Sequence, residues 1–277
     1  MNRKKNSWLI TTLLILGSLL ILFPLYLTVT IAFKTPPEMA GNLLALPKTW
    51  SFDNFAQAIE MTNFFNAFKN SAFVTIFVVI FTVMTNSLVS YAIARNMHKK
   101  FYKFLFFYFL SAMFIPFPII MLPLVKQTSA WGMDNLVGLI ILYIVFNLSF
   151  NVFIYIGYIK SIPIELEEAA IMDGASTWGV FWKVIFPLLA PMNATVAIIT
   201  SLGAWNDFML PLVLLSDREM ATLPLVQYIF QSQFSTDYNL AFASYLMALA
   251  PMIIVYIFAQ KWIISGVMKG SDRKSVV

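Results

Sequence analysis

Six stretches of this chain contain no Asp, Glu, Lys or Arg: residues 6–33, 70–94, 104–125, 135–159, 184–206 and 238–260. A helix rising ~1.5 Å per residue needs about 20 residues to cross ~30 Å of hydrocarbon, and every stretch is long enough. Only 11% of the 277 residues are charged, against roughly 25% in soluble domains. The pattern predicts an all-α polytopic membrane protein, a single transmembrane domain over 1–277 with six helices at about 8–33, 70–94, 104–125, 136–159, 185–215 and 240–266. The first stretch follows Arg3, Lys4 and Lys5 but outruns the ~7–15 apolar residues of a signal peptide, and no A-x-A site closes it, so it is read as a retained helix.

Six spans put both termini on one side. If that side is the cytoplasm, 13 of the 18 Lys and Arg lie inside and 5 (Lys34, Lys48, Lys69, Lys126 and Arg218) outside, as the positive-inside rule requires. The net charge of +5 then reports topology, and basic residues scattered over short loops exclude nucleic-acid binding. With no cysteine there is no disulfide or thiolate chemistry, and the single His98, in a basic loop without partners, reads as a solvated or headgroup-facing residue rather than a ligand.

The external segment 34–69 is the longest loop, with an amphipathic stretch from Phe52 to Phe68 suited to the outer interface. Pro116, Pro118 and Pro123 imply a bent or broken third helix, which either lines a path or is merely kinked. The fifth helix carries Pro187 and Pro191 in its first turns and Pro211 near its outer end.

The segment after the fourth span is neither loop-like nor transmembrane. Pro163 suits a helix start, and Glu165, Glu167 and Glu168 occupy the first turns, where the helix dipole favours carboxylates. Leu166, Ala169, Ala170 and Asp173 follow at helical spacing as a small-residue face. Gly174 suits a left-handed stop, and Ser176 caps a second short helix. This reads as a two-helix cytoplasmic hook between helices 4 and 5, which either presents a docking knob or merely caps the bundle.

The run Glu168-Ala169-Ala170-Ile171-Met172-Asp173-Gly174-Ala175, with Phe181, Ile185, Pro187 and Pro191, resembles the EAA motif in the membrane subunits of binding-protein-dependent ABC importers. The resemblance extends to the maltose-type, second-permease branch of carbohydrate importers. It runs through Phe52-Asp53-Asn54-Phe55, Asn70-Ser71, Asn86-Ser87-Leu88, Tyr91-Ala92-Ile93-Ala94-Arg95, Trp205-Asn206-Asp207-Phe208 with Pro211-Leu212, and Thr222-Leu223-Pro224-Leu225. Phe186 stands where the family usually has Leu, and a tail, Gly270–Val277, runs beyond its usual ending.

The resemblance implies that the segment 161–191 couples the chain to a cytoplasmic ATPase dimer, through Glu167, Glu168, Ala169, Ala170, Asp173, Gly174 and Ala175. The chain itself binds no cofactor, lacking a G-x-x-x-x-G-K-S/T loop, and ATP and Mg are used by the ATPase. The implied partners are a second homologous permease, an extracellular sugar-binding protein, a sugar such as an α-galactoside or maltodextrin, and the lipid of a bacterial inner membrane. Ion-coupled secondary transport is the alternative, with less support from one intramembrane acid and no internal repeat. That acid is Asp207, at ~2.5–3.5 kcal/mol on insertion scales, so it needs a partner. Asn206 and Asp207 either line the translocation path or make a helix contact near the outer surface.

Overall fold

The structure is a computed structural model and describes residues 3–230 and 237–271; the end of the tail, 272–277, with Arg273 and Lys274, lies outside them. Among the described residues the regular structure is helical. Four helices are long and apolar enough to cross a membrane: α1 (Arg3–Phe33), α4 (Phe64–Arg95), α7 (Leu136–Ile159) and α14 (Tyr238–Ser271). Two further candidates are bent pairs. Helices α5 (Lys100–Ala112) and α6 (Phe117–Ala130) meet at 104°, and the run Thr177–Leu188 meets Ala190–Asn206 at 75°. The candidate spans therefore number four to six.

The breaks follow from proline chemistry, because a proline ring clashes with the carbonyl four residues before it. Pro116 ends α5 at Ala112. Pro211 stops α11 (Ala190–Asn206) short of Asp207, and α12 (Met209–Leu214) begins beyond. The continuous fifth helix expected over 185–215 is interrupted where Pro211 acts, at Asp207–Phe208, and also earlier, at Leu189. The second span also differs: α4 starts at Phe64, inside the loop expected over 34–69, because Lys69 is carried within the helix.

The chain divides into two compact units. In the first, residues 1–66 and 226–253, the end of α1 meets α2 (Pro36–Gly41), α3 (Asp53–Thr62) and the start of α14. Ala32, Ala58, Ala241 and Ala243 are buried beside Phe230, small residues that let helices approach closely. The Asn54 and Asn239 amides donate to the Lys34 carbonyl, and Asn54 also donates to that of Ala32, so α1 ends with satisfied carbonyls. Lys34, expected in the external loop, has a buried side chain whose ammonium donates to the Asn42 and Leu43 carbonyls at 2.9 and 2.7 Å.

Glu38 closes this loop. Its carboxylate accepts from the Thr35 N–H (2.9 Å), the Thr35 hydroxyl (3.2 Å) and the Lys48 N–H (3.0 Å), and the backbone bonds hold its pKa below the usual value. A carboxylate depressed in the folded state stabilises above its unfolded pKa and loses that contribution as pH falls through the folded one. Acidification below the ordinary carboxylate range should therefore quicken hydrogen exchange at the Lys48 amide, after correction for intrinsic rate. In Glu38→Gln that amide should exchange without this pH dependence.

In the second unit, residues 67–225 with the chain from 254 onward, α7 is the central post. Its start is fixed by Asn135, whose side chain accepts from the Gly138 N–H, and a Cβ on Gly138 would lie 1.9 Å from the Met133 carbonyl oxygen. Ile93 of α4 packs on Val152 and Ile156, with α5 against the same face. Two of the sequence motifs meet as a clasp: the Asn70 amide donates to the Glu219 and Ala221 carbonyls, and the Ser71 hydroxyl accepts from the Leu223 N–H.

Candidate functional site: a helical hook and a cavity at the helix breaks

The hook begins with α8 (Glu165–Met172), whose first turn carries three glutamates. Its end is a Schellman turn: Ala175 N–H donates to the Ala170 carbonyl and Gly174 N–H to that of Ile171, both at 2.9 Å, with Gly174 at φ +87°. Ser176 caps α9 (Thr177–Val180) by accepting from the Gly179 N–H. A π-helical turn, Phe181–Ile185, and α10 (Phe186–Leu188) then carry the chain into α11.

The seven predicted hook residues do not share one face. Glu168, Ala169, Asp173 and Gly174 are exposed, whereas Ala170 and Ala175 turn half inward against a core of Tyr155, Ile159, Val180, Phe181 and Ile185. Glu167 is buried. Its carboxylate takes the Arg95 guanidinium at 2.6 Å on one oxygen and the Tyr91 hydroxyl at 2.6 Å on the other, while Arg95 also donates to the Ile162 carbonyl. Tyr91 packs on Phe181, and Phe181 on Trp182 and Phe186. Glu167 thus ties the hook to the last turn of α4, which leaves it no free face for an outside partner.

Sequence reasoning missed the apolar part of the outward surface. Leu166, Ile171 and Trp178 are exposed, and Met172 is 87% exposed, although each is a residue that folding normally hides. Large apolar side chains are thus gathered around carboxylates on one exposed face, an arrangement enriched where proteins dock.

The intramembrane acid has a partner. Tyr143 of α7 donates its hydroxyl to Asp207 Oδ2 at 2.8 Å, and the Met209 N–H donates to Oδ1 at 3.0 Å. At ~1.5 Å per residue, Tyr143 lies about 10 Å along α7 from its Leu136 end, about two helical turns in. A cavity of about 620 Å³ opens here, lined by Phe117, Tyr143, Phe146, Asn147, Asn206 and Asp207 among others. Asn206 and Asp207 are brought together on one wall, and the preceding Trp205 is buried against Phe68. Among the described residues no group of His, Cys, Asp and Glu is placed to hold a metal.

Comparison with known proteins agrees with this architecture. The chain is 39% identical to the multiple sugar-binding transport system permease protein MsmG of Streptococcus mutans, over 94% of this chain and 95% of that one. It is 34% identical to the probable starch degradation products transport system permease protein AmyC of Thermoanaerobacterium thermosulfurigenes, over 97% and 98%. In fold it is similar to a bacterial ABC transporter involved in the import of the acidic polysaccharide alginate, with a TM-score of 0.81, 24% identity, and 94% and 98% of the two chains covered. Residues 86–269, from the middle of α4 through the hook and the cavity into α14, match the family model described as binding-protein-dependent transport system inner membrane component. The hook signature, the bent membrane helices and the full-length relatives have one origin: this chain belongs to the inner membrane components of binding-protein-dependent transport systems.

Proposed function

We propose that this chain is one of two homologous permease subunits of an ATP-driven importer that moves an oligosaccharide, of the α-galactoside or maltodextrin kind, across a bacterial cytoplasmic membrane. It forms one transmembrane domain in which each bent pair is a single span, giving six, with both termini and the hook in the cytoplasm. An extracellular binding protein delivers the sugar. A cytoplasmic ATPase dimer uses ATP and Mg, and its closure pushes the hook. Glu168, Ala169, Asp173 and Gly174 face that ATPase, Glu167, Ala170 and Ala175 hold the hook in shape, and Asn206 and Asp207 line the path.

The observation that carries this reading is the hook: a short helix with an exposed apolar and acidic face, pinned at its rear by a buried ion pair to a membrane helix. The names of the two sugar-transport relatives support the substrate class.

The chain has no cysteine, so Met172→Cys gives a single reporter. In the assembled transporter a membrane-impermeant maleimide should label it in inside-out vesicles and not in intact cells, and bound ATPase should protect it. Labelling from outside intact cells would overturn the topology, and labelling that the ATPase leaves unchanged would overturn the docking role.

A further inference from the structure

We infer that the cavity at the two helix breaks is a subsite for one ring of an uncharged sugar, built by this chain and selective against acidic sugars; this rests on the import reading above. The α5–α6 break brings Phe117 to the cavity and the gap between α11 and α12 brings Asn206 and Asp207, so two interruptions from distant parts of the sequence converge on one space. Unwound backbone at membrane depth is tolerated where it is enclosed by protein or lines a watery cavity, and discontinuous helices are where transporters place substrate sites. The volume lies within the ~300–1,000 Å³ common for small-molecule sites.

The lining suits a sugar ring, which has C–H faces and a rim of hydroxyls. Phe117 and Phe146 meet edge to face at 6.2 Å and supply aromatic surface for the C–H groups. Asn147, about 16 Å along α7, and Asn206 each donate an amide hydrogen to a backbone carbonyl of their own helix. Their side-chain carbonyl oxygens have no partner among the described residues and are left to accept from hydroxyls. Asp207 is the single charged group in the lining, and no Lys, Arg or His accompanies it. A uronate there would face a carboxylate in a poorly screened site with no cation to receive it, whereas a neutral ring adds hydroxyl donors.

The test uses the complete transporter in proteoliposomes with Asn147→Cys as its reporter, and Phe146→Cys in parallel should the first variant fail to assemble. The same transporter with the cysteine-free chain sets the background. After normalisation to free cysteine, cationic ethylammonium methanethiosulfonate should label about tenfold faster than the anionic sulfonatoethyl reagent, and adding Asp207→Asn should remove the preference. Maltotriose or raffinose should slow labelling severalfold, and trigalacturonate should not. Equal rates for the two reagents, no slowing by either neutral sugar, or slowing by trigalacturonate would each overturn the subsite. ATPase activity stimulated by the sugar-loaded binding protein, measured on the same vesicles, separates the two levels: its loss in the parent transporter defeats the import reading, and its retention without sugar protection defeats only the subsite.

Discussion

Replacing Glu167 by alanine should destabilise the permease by about 3 kcal/mol, the lower end of the cost of removing one partner from a buried ion pair. The low figure is chosen because Arg95 keeps 16% of its side-chain surface and its bond to the Ile162 carbonyl. The Tyr91 hydroxyl would also lose its acceptor. The thermal midpoint of the assembled transporter should fall by several degrees, and the ATPase should no longer respond to sugar-loaded binding protein, because the hook is released from α4. Glu167→Gln, which can still accept from Tyr91, should retain part of both. The double variant Arg95→Met with Glu167→Met should recover stability relative to either single change, since removing both charges leaves none stranded. A Glu167→Ala transporter with normal stability and stimulation would show the pair to be an idle contact.

The second large effect is expected at Gly174. A Cβ there would meet no atom within 4 Å, so crowding does not require glycine; the backbone does, at φ +87°. A left-handed residue with a side chain costs roughly 1–2 kcal/mol, more when β-branched and least for asparagine. Gly174→Val should undo the Schellman turn, shift Ser176 and α9, and lower sugar-stimulated ATPase activity at least tenfold, as a change of ~1.4 kcal/mol at a docking surface implies. Gly174→Asn should stay within about threefold of the parent, a difference below ~1 kcal/mol. Equal activity for the Val and Asn variants would remove the turn from the mechanism.

The legible parts of the sequence were those set by local chemistry. Gly174 and Ser176 act where their turn and cap propensities placed them. The span Leu136–Ile159 has the bounds that the charge-free stretch predicts. The departures come from longer-range partners. Lys69 makes the second span look shorter than it is, because a charge marks the end of an apolar stretch, yet a long lysine stem can lie along a helix while its head finds water. The sequence places Lys34 only in the external loop, because nothing local marks the carbonyls of Asn42 and Leu43 as its acceptors. Glu167 was grouped with its outward neighbours, although helical spacing sets it with Ala170 on the opposite side from Ala169 and Asp173, and Arg95 lies more than seventy positions away. The break at Asp207 has a local signal in Pro211, four residues on, whose ring clashes with the Asp207 carbonyl of a continuous helix.

ATP, acting through the hook, is expected to drive sugar across this chain. This is tested most directly by radiolabelled sugar uptake into proteoliposomes holding both permease subunits and the ATPase, with the binding protein on the opposite face from the hook. Accumulation should require Mg-ATP on the hook side and sugar-loaded binding protein on the other, and should persist when sodium and proton gradients are collapsed. Accumulation by the permease pair on an ion gradient alone, without ATP or ATPase, would contradict the account.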